Sequence, residues 1–160
     1  MKFATTTILV AIASAFITTA AFASPEKGLE IAIEADSRDK GFGDSTAQIT
    51  MILMDKYGQS TERAIRNRTF EVDNEGDKSL VIFDSPGDVR GTAFLSHTKK
   101  ADSDNQWLYL PALKRVKRIA SSNKAGPFMG SEFSYEDIAS QEVEKYTYNY
   151  LRDEELNGLD

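Results

Sequence analysis

Two hydrophobic periods divide the chain. Between residues 24 and 41 apolar positions recur at helical spacing, and from Ser45 onward they alternate with a period of two. Ser24-Pro25-Glu26 predicts a helix start, with Ser as the cap, Pro in the first turn and an acid at the positive end of the dipole. Leu29, Ala32 and Ile33 form the apolar stripe of an amphipathic helix that should stop near Gly41. A helix this short is marginal alone, so its stripe needs a surface to cover.

In the second part, Ala47, Ile49, Met51 and Leu53 alternate with Thr46, Gln48, Thr50 and Ile52, which predicts a strand. A turn at Lys56-Tyr57-Gly58-Gln59 leads into a far more polar strand over Thr61 to Val72. The continuous apolar run Leu80-Val81-Ile82-Phe83 predicts a third strand, buried on both faces. Gly91 to Thr98, Trp107 to Leu110 and Arg115 to Ile119 continue the series, separated by polar or proline-bearing turns. Successive hairpins of this kind make an antiparallel meander and exclude a doubly wound parallel sheet. After a loop rich in Ser, Gly and Pro (Ala120 to Gly130), Ser134-Tyr135-Glu136-Asp137 has capping-box spacing and predicts a short helical turn. Glu142 to Asp153 alternates once more.

The ends carry their own signals. Lys2, the apolar run Ile8 to Ile17 and Ala21-Phe22-Ala23 predict a secretory leader cleaved after Ala23. The run is too short for a membrane span, which needs about 20 apolar residues. With no cysteine in the chain, a lipid anchor at the cleavage point is excluded. Residues 24–160 are then expected to form a single exported domain. Asn157-Gly158 is a strong hairpin signal with no returning strand behind it, which predicts that the domain is incomplete at its C-terminus.

Composition narrows the partners. With 25 acidic against 19 basic residues and a net charge of −6, nucleic acid is disfavoured as a partner, and so is docking on anionic lipid. The basic cluster Lys114-Arg115, Lys117-Arg118 beside Trp107 and Tyr109 is read as a solvated strand face. His97 is the single histidine and reads as a surface or strand-edge residue. Asp102-Ser103-Asp104 starts like a calcium loop, but Gln106 and Trp107 stand where a ligand and the turn glycine belong, so a solvated loop is expected and no metal. No Gly-x-Ser-x-Gly elbow, Walker lysine or dinucleotide fingerprint is present. Catalytic residues and cofactors are therefore expected to be none; a lipid hydrolase built on His97 is the remaining enzymatic alternative.

The anomaly is hydrophobic. Ile49, Met51 and Leu53 oppose Ile52 and Met54 on the first strand, Trp107 and Tyr109 oppose Leu108 and Leu110, and Phe128-Met129 sits in a glycine-bounded loop. One apolar face can pack on the helix while the other lines a cavity for an acyl chain, or both belong to an ordinary two-layer core. The cavity candidates are Ile49, Met51, Leu53, Phe94, Trp107, Tyr109, Phe128 and Met129.

Four blocks in order resemble the outer-membrane lipoprotein-sorting protein family, a LolA-like group of periplasmic proteins. They are Phe83 to Thr92, with Pro86, Arg90 and Gly91; Gln106 to Leu113; Arg115 to Ile119, with Arg118; and Phe128 to Asp137, with Glu136 and Asp137. The resemblance implies a mainly β fold: a curved antiparallel half-barrel sheet whose concave face is covered by the N-terminal amphipathic helix and a short helix. It also implies a carrier or binding protein for lipid or acylated ligands in the periplasm, with the Ala120 to Gly130 loop and the Glu26 to Asp36 helix as a lid. An inner-membrane exporter of the resistance-nodulation-division (RND) type is an implied partner, and an accessory subunit acting by protein contacts is the alternative role. Arg90 is expected to tie its turn to a carboxylate such as Asp88 or Glu136.

Overall fold

The structure, a computed structural model, describes residues 24–156 and 158; the expected leader and its cleavage point lie outside these residues. Helix α1 (Pro25–Arg38) opens the described chain, with Ser24 Oγ accepting from Lys27 N at 3.3 Å as its cap. Strands follow at Asp44–Met54 (β1), Ser60–Phe70 (β2), Lys78–Ser85 (β3), Ala93–His97 (β4), Asn105–Leu110 (β5) and Arg115–Ile119 (β6). They form one six-stranded antiparallel sheet in sequence order, as the meander pattern predicts.

The expected curved half-barrel is not what forms: the sheet is open, neither closed nor strongly curled, with β1 and β6 as its two edges. Strong curvature needs bulges or glycine kinks within strands. Here the register breaks once, between Ala64 and Ile65, and none of the six strands contains a glycine.

The expected helical cover is also corrected. Helix α1 buries no residue, and Leu29 and Ile33 of its apolar stripe stay exposed. Its half-buried positions are instead Gly28, Ala32 and Asp36, one small or polar residue per turn. This ridge lies against the C-terminal segment: Ser24 and Tyr150 exchange backbone hydrogen bonds at 3.3 and 3.1 Å. A Cβ on Gly28 would come within 2.8 Å of Tyr150 N, so only glycine permits this approach. Small residues, not large apolar ones, decide which way the helix faces. Residues 142–153 form no extended strand despite their alternation; they hold a single 3₁₀ turn at Val143–Lys145 and the Tyr150 bridge. An alternating pattern becomes a strand only where a neighbour supplies the ladder.

One face of the sheet is covered. Ile65, Val81, Phe83, Phe94 and Leu108 project from it into the core, with Ile119 at the β6 end and Val89 from the β3–β4 turn. The cover is the irregular segment 124–142. Ser134 to Asp137 is a turn within it, not a helix, although the capping-box bonds are made: Ser134 N and Oγ both donate to Asp137 Oδ2 at 2.7 Å. The run 80–83 is likewise not buried on both sides. Val81 and Phe83 enter the core, while Leu80 and Ile82 are half-buried on the open face.

Candidate functional site

An apolar cavity of about 450 Å³ lies on the covered face, towards the β1 edge. Its floor is Ile49 and Met51 from β1, Ile65 and Asn67 from β2, and Val81 from β3; Phe128, Phe133 and Ile138 form its roof. The strand residues reach it because Ile49 pairs directly with Ile65 and Asn67 with Val81, so one pleat face carries them all.

The roof is pinned at one ring. Residues 126–135 fold back on themselves, with Tyr135 N donating to Gly126 O at 3.2 Å and Phe128 N to Phe133 O at 2.6 Å. Phe128 at the tip is fully buried. Its ring lies 5.9 Å from Phe83, 5.3 Å from Phe94 and 5.4 Å from Tyr135, the last two in edge-on contact. Met129 beside it takes a left-handed φ of 50°, and its carbonyl accepts from Arg63 Nη1 at 2.7 Å. The tip is thus held by the ring contacts of Phe128 and by the Arg63 guanidinium on the Met129 carbonyl. Two buried polar atoms of the floor strand have no protein partner: Arg63 Nε and Asn67 Oδ1.

Of the residues singled out in the sequence, Ile49, Met51 and Phe128 line this cavity. Leu53 shares their face further along β1, Phe94 is fully buried in the core behind the roof, and Met129 packs against that core. Trp107 and Tyr109 lie on the opposite, open face, since Leu108 is the inward residue between them; Trp107 stacks edge-on with His97 at 5.1 Å. His97 is half-buried there, and burial and then Lys78 push its imidazole below the usual range. Ile65, Val81, Phe133 and Ile138 were not anticipated as lining. Ile65 left a trace, as the lone large apolar residue within the polar run from Thr61 to Thr69.

The block residues hold turns. Gly91 N donates to Phe83 O at 2.8 Å and Arg90 N to Pro86 O at 3.0 Å, closing the β3–β4 connection. Arg90 Nε donates to the backbone carbonyl of Asp84 at 2.9 Å, so its anchor is a main-chain oxygen and not the expected carboxylate. Arg118 donates to Asn105 Oδ1 at 2.6 Å, and Glu136 pairs with Lys124 at 3.0 Å. Ser134's backbone N–H, then its hydroxyl, holds the Asp137 carboxyl below its ordinary range.

Beyond the cavity the covered face turns polar. Ser79, Ser96, Thr98 and Gln106 are buried there, with Glu142 from the covering segment. Asp104, expected in a solvated loop, is nearly buried, pairs with Lys145 and accepts Lys99 N at 2.9 Å. A cleft of about 320 Å³ beside this region is lined by Asp36, Glu71, Asp77 and Glu142. Among the described residues no group of three or more His, Asp or Glu side chains is arranged to hold a metal ion. Among the same residues no helix is long and apolar enough to cross a membrane.

Comparison with known proteins places this geometry. A family model described as "Uncharacterized protein" matches residues 75–160, just over half of the chain. A domain from Vibrio parahaemolyticus named for outer membrane lipoprotein sorting is 58% identical, with a TM-score of 0.81. A DUF1329 family protein from Desulfovibrio piger is 30% identical, with a TM-score of 0.77. The chain belongs to the family of that model and is a homologue of both relatives, sharing their LolA-like, DUF1329 fold. Each match covers 84% of the chain, which spans 57% of the length of either relative. The curated proteins give no match.

Proposed function

We propose that the protein is a periplasmic carrier that holds a lipid or acylated ligand without covalent chemistry, with the acyl chain in the cavity beneath residues 126–138. The observation that carries this reading is the cavity itself. Its volume of about 450 Å³ falls within the range of ligand sites, about 300–1,000 Å³, and its walls are mostly aliphatic and aromatic. Each methylene withdrawn from water there contributes about 0.8 kcal/mol, so an acyl chain is held with no polar recognition. Homology to these relatives supports a sorting role, and the leader-like N-terminus supports export. Loading and release require withdrawal of the Phe128 tip, which roofs the cavity and is fixed by the ring stack and Arg63. Lipoprotein acyl chains are the proposed cargo, and an inner-membrane RND-type transporter a proposed partner.

Titration of a fluorescent fatty acid into the purified protein tests this. Saturable binding is expected, weakened at least tenfold by Phe133→Asp, which charges the exposed side of the roof without touching the core. Absence of binding across several lipid classes, together with lipid-free capture of a transporter, would replace this reading with the accessory-subunit role.

A further inference from the structure

The covering segment crosses two hollows in succession. Asp137 and Ile138 line the apolar cavity, and Ser140, Gln141 and Glu142 line the polar cleft of about 320 Å³. The sheet beneath links the same two places. Asn67 and Val81, which pair across β2 and β3, lie in the cavity floor. Glu71 and Asp77, four residues from them along the chain and just past the strand ends, line the cleft. At strand rise the two sets are about 13 Å apart.

The charge of both hollows has one sign. Among the described residues no Lys, Arg or His lines the cavity, and its one charged lining residue is Asp137. Ser134 N and Oγ both donate to that carboxylate at 2.7 Å and hold it ionised. The cleft sets the carboxylates of Asp36, Asp39, Glu71, Asp73, Asp77 and Glu142 against Lys40 and Lys100, and Lys40 is already paired with Asp36. Glu71 accepts from Gly41 N and Gly43 N, and Asp77 from Ser140 Oγ. Glu142 differs. It is only 9% exposed, and among the described residues its carboxyl has no hydrogen-bond or ion-pair partner. Burial first, and the Asp77 charge next, push that carboxyl above its ordinary range, so it stands in a negative field. No three of these side chains are arranged to hold a metal ion, which suits the cleft to a larger, organic cation.

We propose that the cargo is a cationic amphiphile, with its alkyl or acyl chain in the cavity and an ammonium head turned to Asp137 and the acidic cleft. This rests on the carrier reading and deepens it. The chain supplies affinity through burial, without regard to the head. The head decides which ligand is kept: an ammonium donates charge-assisted hydrogen bonds to carboxylates, including the one on Glu142 that lacks a donor. A carboxylate or phosphate head would instead meet like charge, with no cation lining the cavity to offset it.

Calorimetric titration of the purified protein at neutral pH and low salt tests this. Decylammonium, decanol and decanoate present different heads on a chain of one length. Decylammonium should bind at least tenfold more tightly than decanoate, with decanol between them. Asp137→Asn keeps an acceptor for the Ser134 bonds but loses the charge, and should narrow that preference at least threefold. Adding Glu142→Gln should narrow it further. Equal binding of decylammonium and decanoate, or a preference that survives intact in the double variant, would overturn the cationic head and leave the carrier reading standing. Failure of all of these ligands to bind would remove the carrier reading, and this inference with it.

Discussion

The covered face has two halves that are closed by different physics. Towards the β1 edge it is apolar: Ile65, Val81, Phe83 and Phe94 lie beneath Phe128 and Ile138, and a cavity remains between them. Towards the chain turns at 76–78 and 98–106 it is polar: Ser79, Ser96, Thr98 and Gln106 lie beneath Glu142, with Lys145 on Asp104. A dry half can open and close around an apolar chain, because dispersion and burial have no directional partners to lose. A polar half resists separation, because each group exposed must trade a specific hydrogen bond. Gly76 shows how closely it is built: a Cβ there would lie 2.6 Å from Thr98 O.

Four substitutions sharpen this contrast, taken from the largest effect to the smallest. Phe128→Ala removes the ring that joins roof to core and should cost about 3–5 kcal/mol in denaturant unfolding. It should also speed exchange of any bound fluorescent lipid. Lys145→Met strands the nearly buried Asp104 carboxylate, which keeps only the Lys99 N–H as donor. A loss of about 1.5–3 kcal/mol is expected in the same measurement, with lipid exchange unchanged. Ser96→Ala goes the other way: its fully buried hydroxyl has no partner, so its removal should stabilise by about 1 kcal/mol.

Glu142→Gln gives the smallest effect and the one that depends on pH. Burial first, and the Asp77 charge second, raise the Glu142 carboxyl above its ordinary value. The folded chain therefore holds this proton more tightly than the unfolded chain does. Its contribution to stability is fullest below the ordinary glutamate range near about 4.3 and is lost as pH rises through the raised folded value. In thermal unfolding from pH 4 to pH 8, Glu142→Gln should gain stability relative to the parent chain as pH rises.

Much of the scaffold was legible along the chain. The strands from Ser45 to Ile119 are marked by alternation or, at residues 80–83, by an apolar run, the turns between them carry their breakers, and the meander order follows from short connections. Less of the site was legible. Ile49 and Met51 could be placed on one face, because a period of two assigns faces within a strand. That Trp107 and Tyr109 occupy the opposite face of the sheet depends on register summed across four strand pairings, which no single strand reveals. The roof was harder still, since residues 126–138 carry no period.

The sequence by itself determined the helix cap at Ser24, the antiparallel meander and the alternation within each strand, because these depend on neighbours a few residues apart. Only the tertiary structure decided that the sheet stays open, that α1 seats its Gly28–Ala32–Asp36 ridge on residues 143–150, and that Phe128 closes the cavity. Those outcomes rest on contacts between residues far apart in the chain. There the shape of the facing surface, and not the local pattern, selects which side chains are buried.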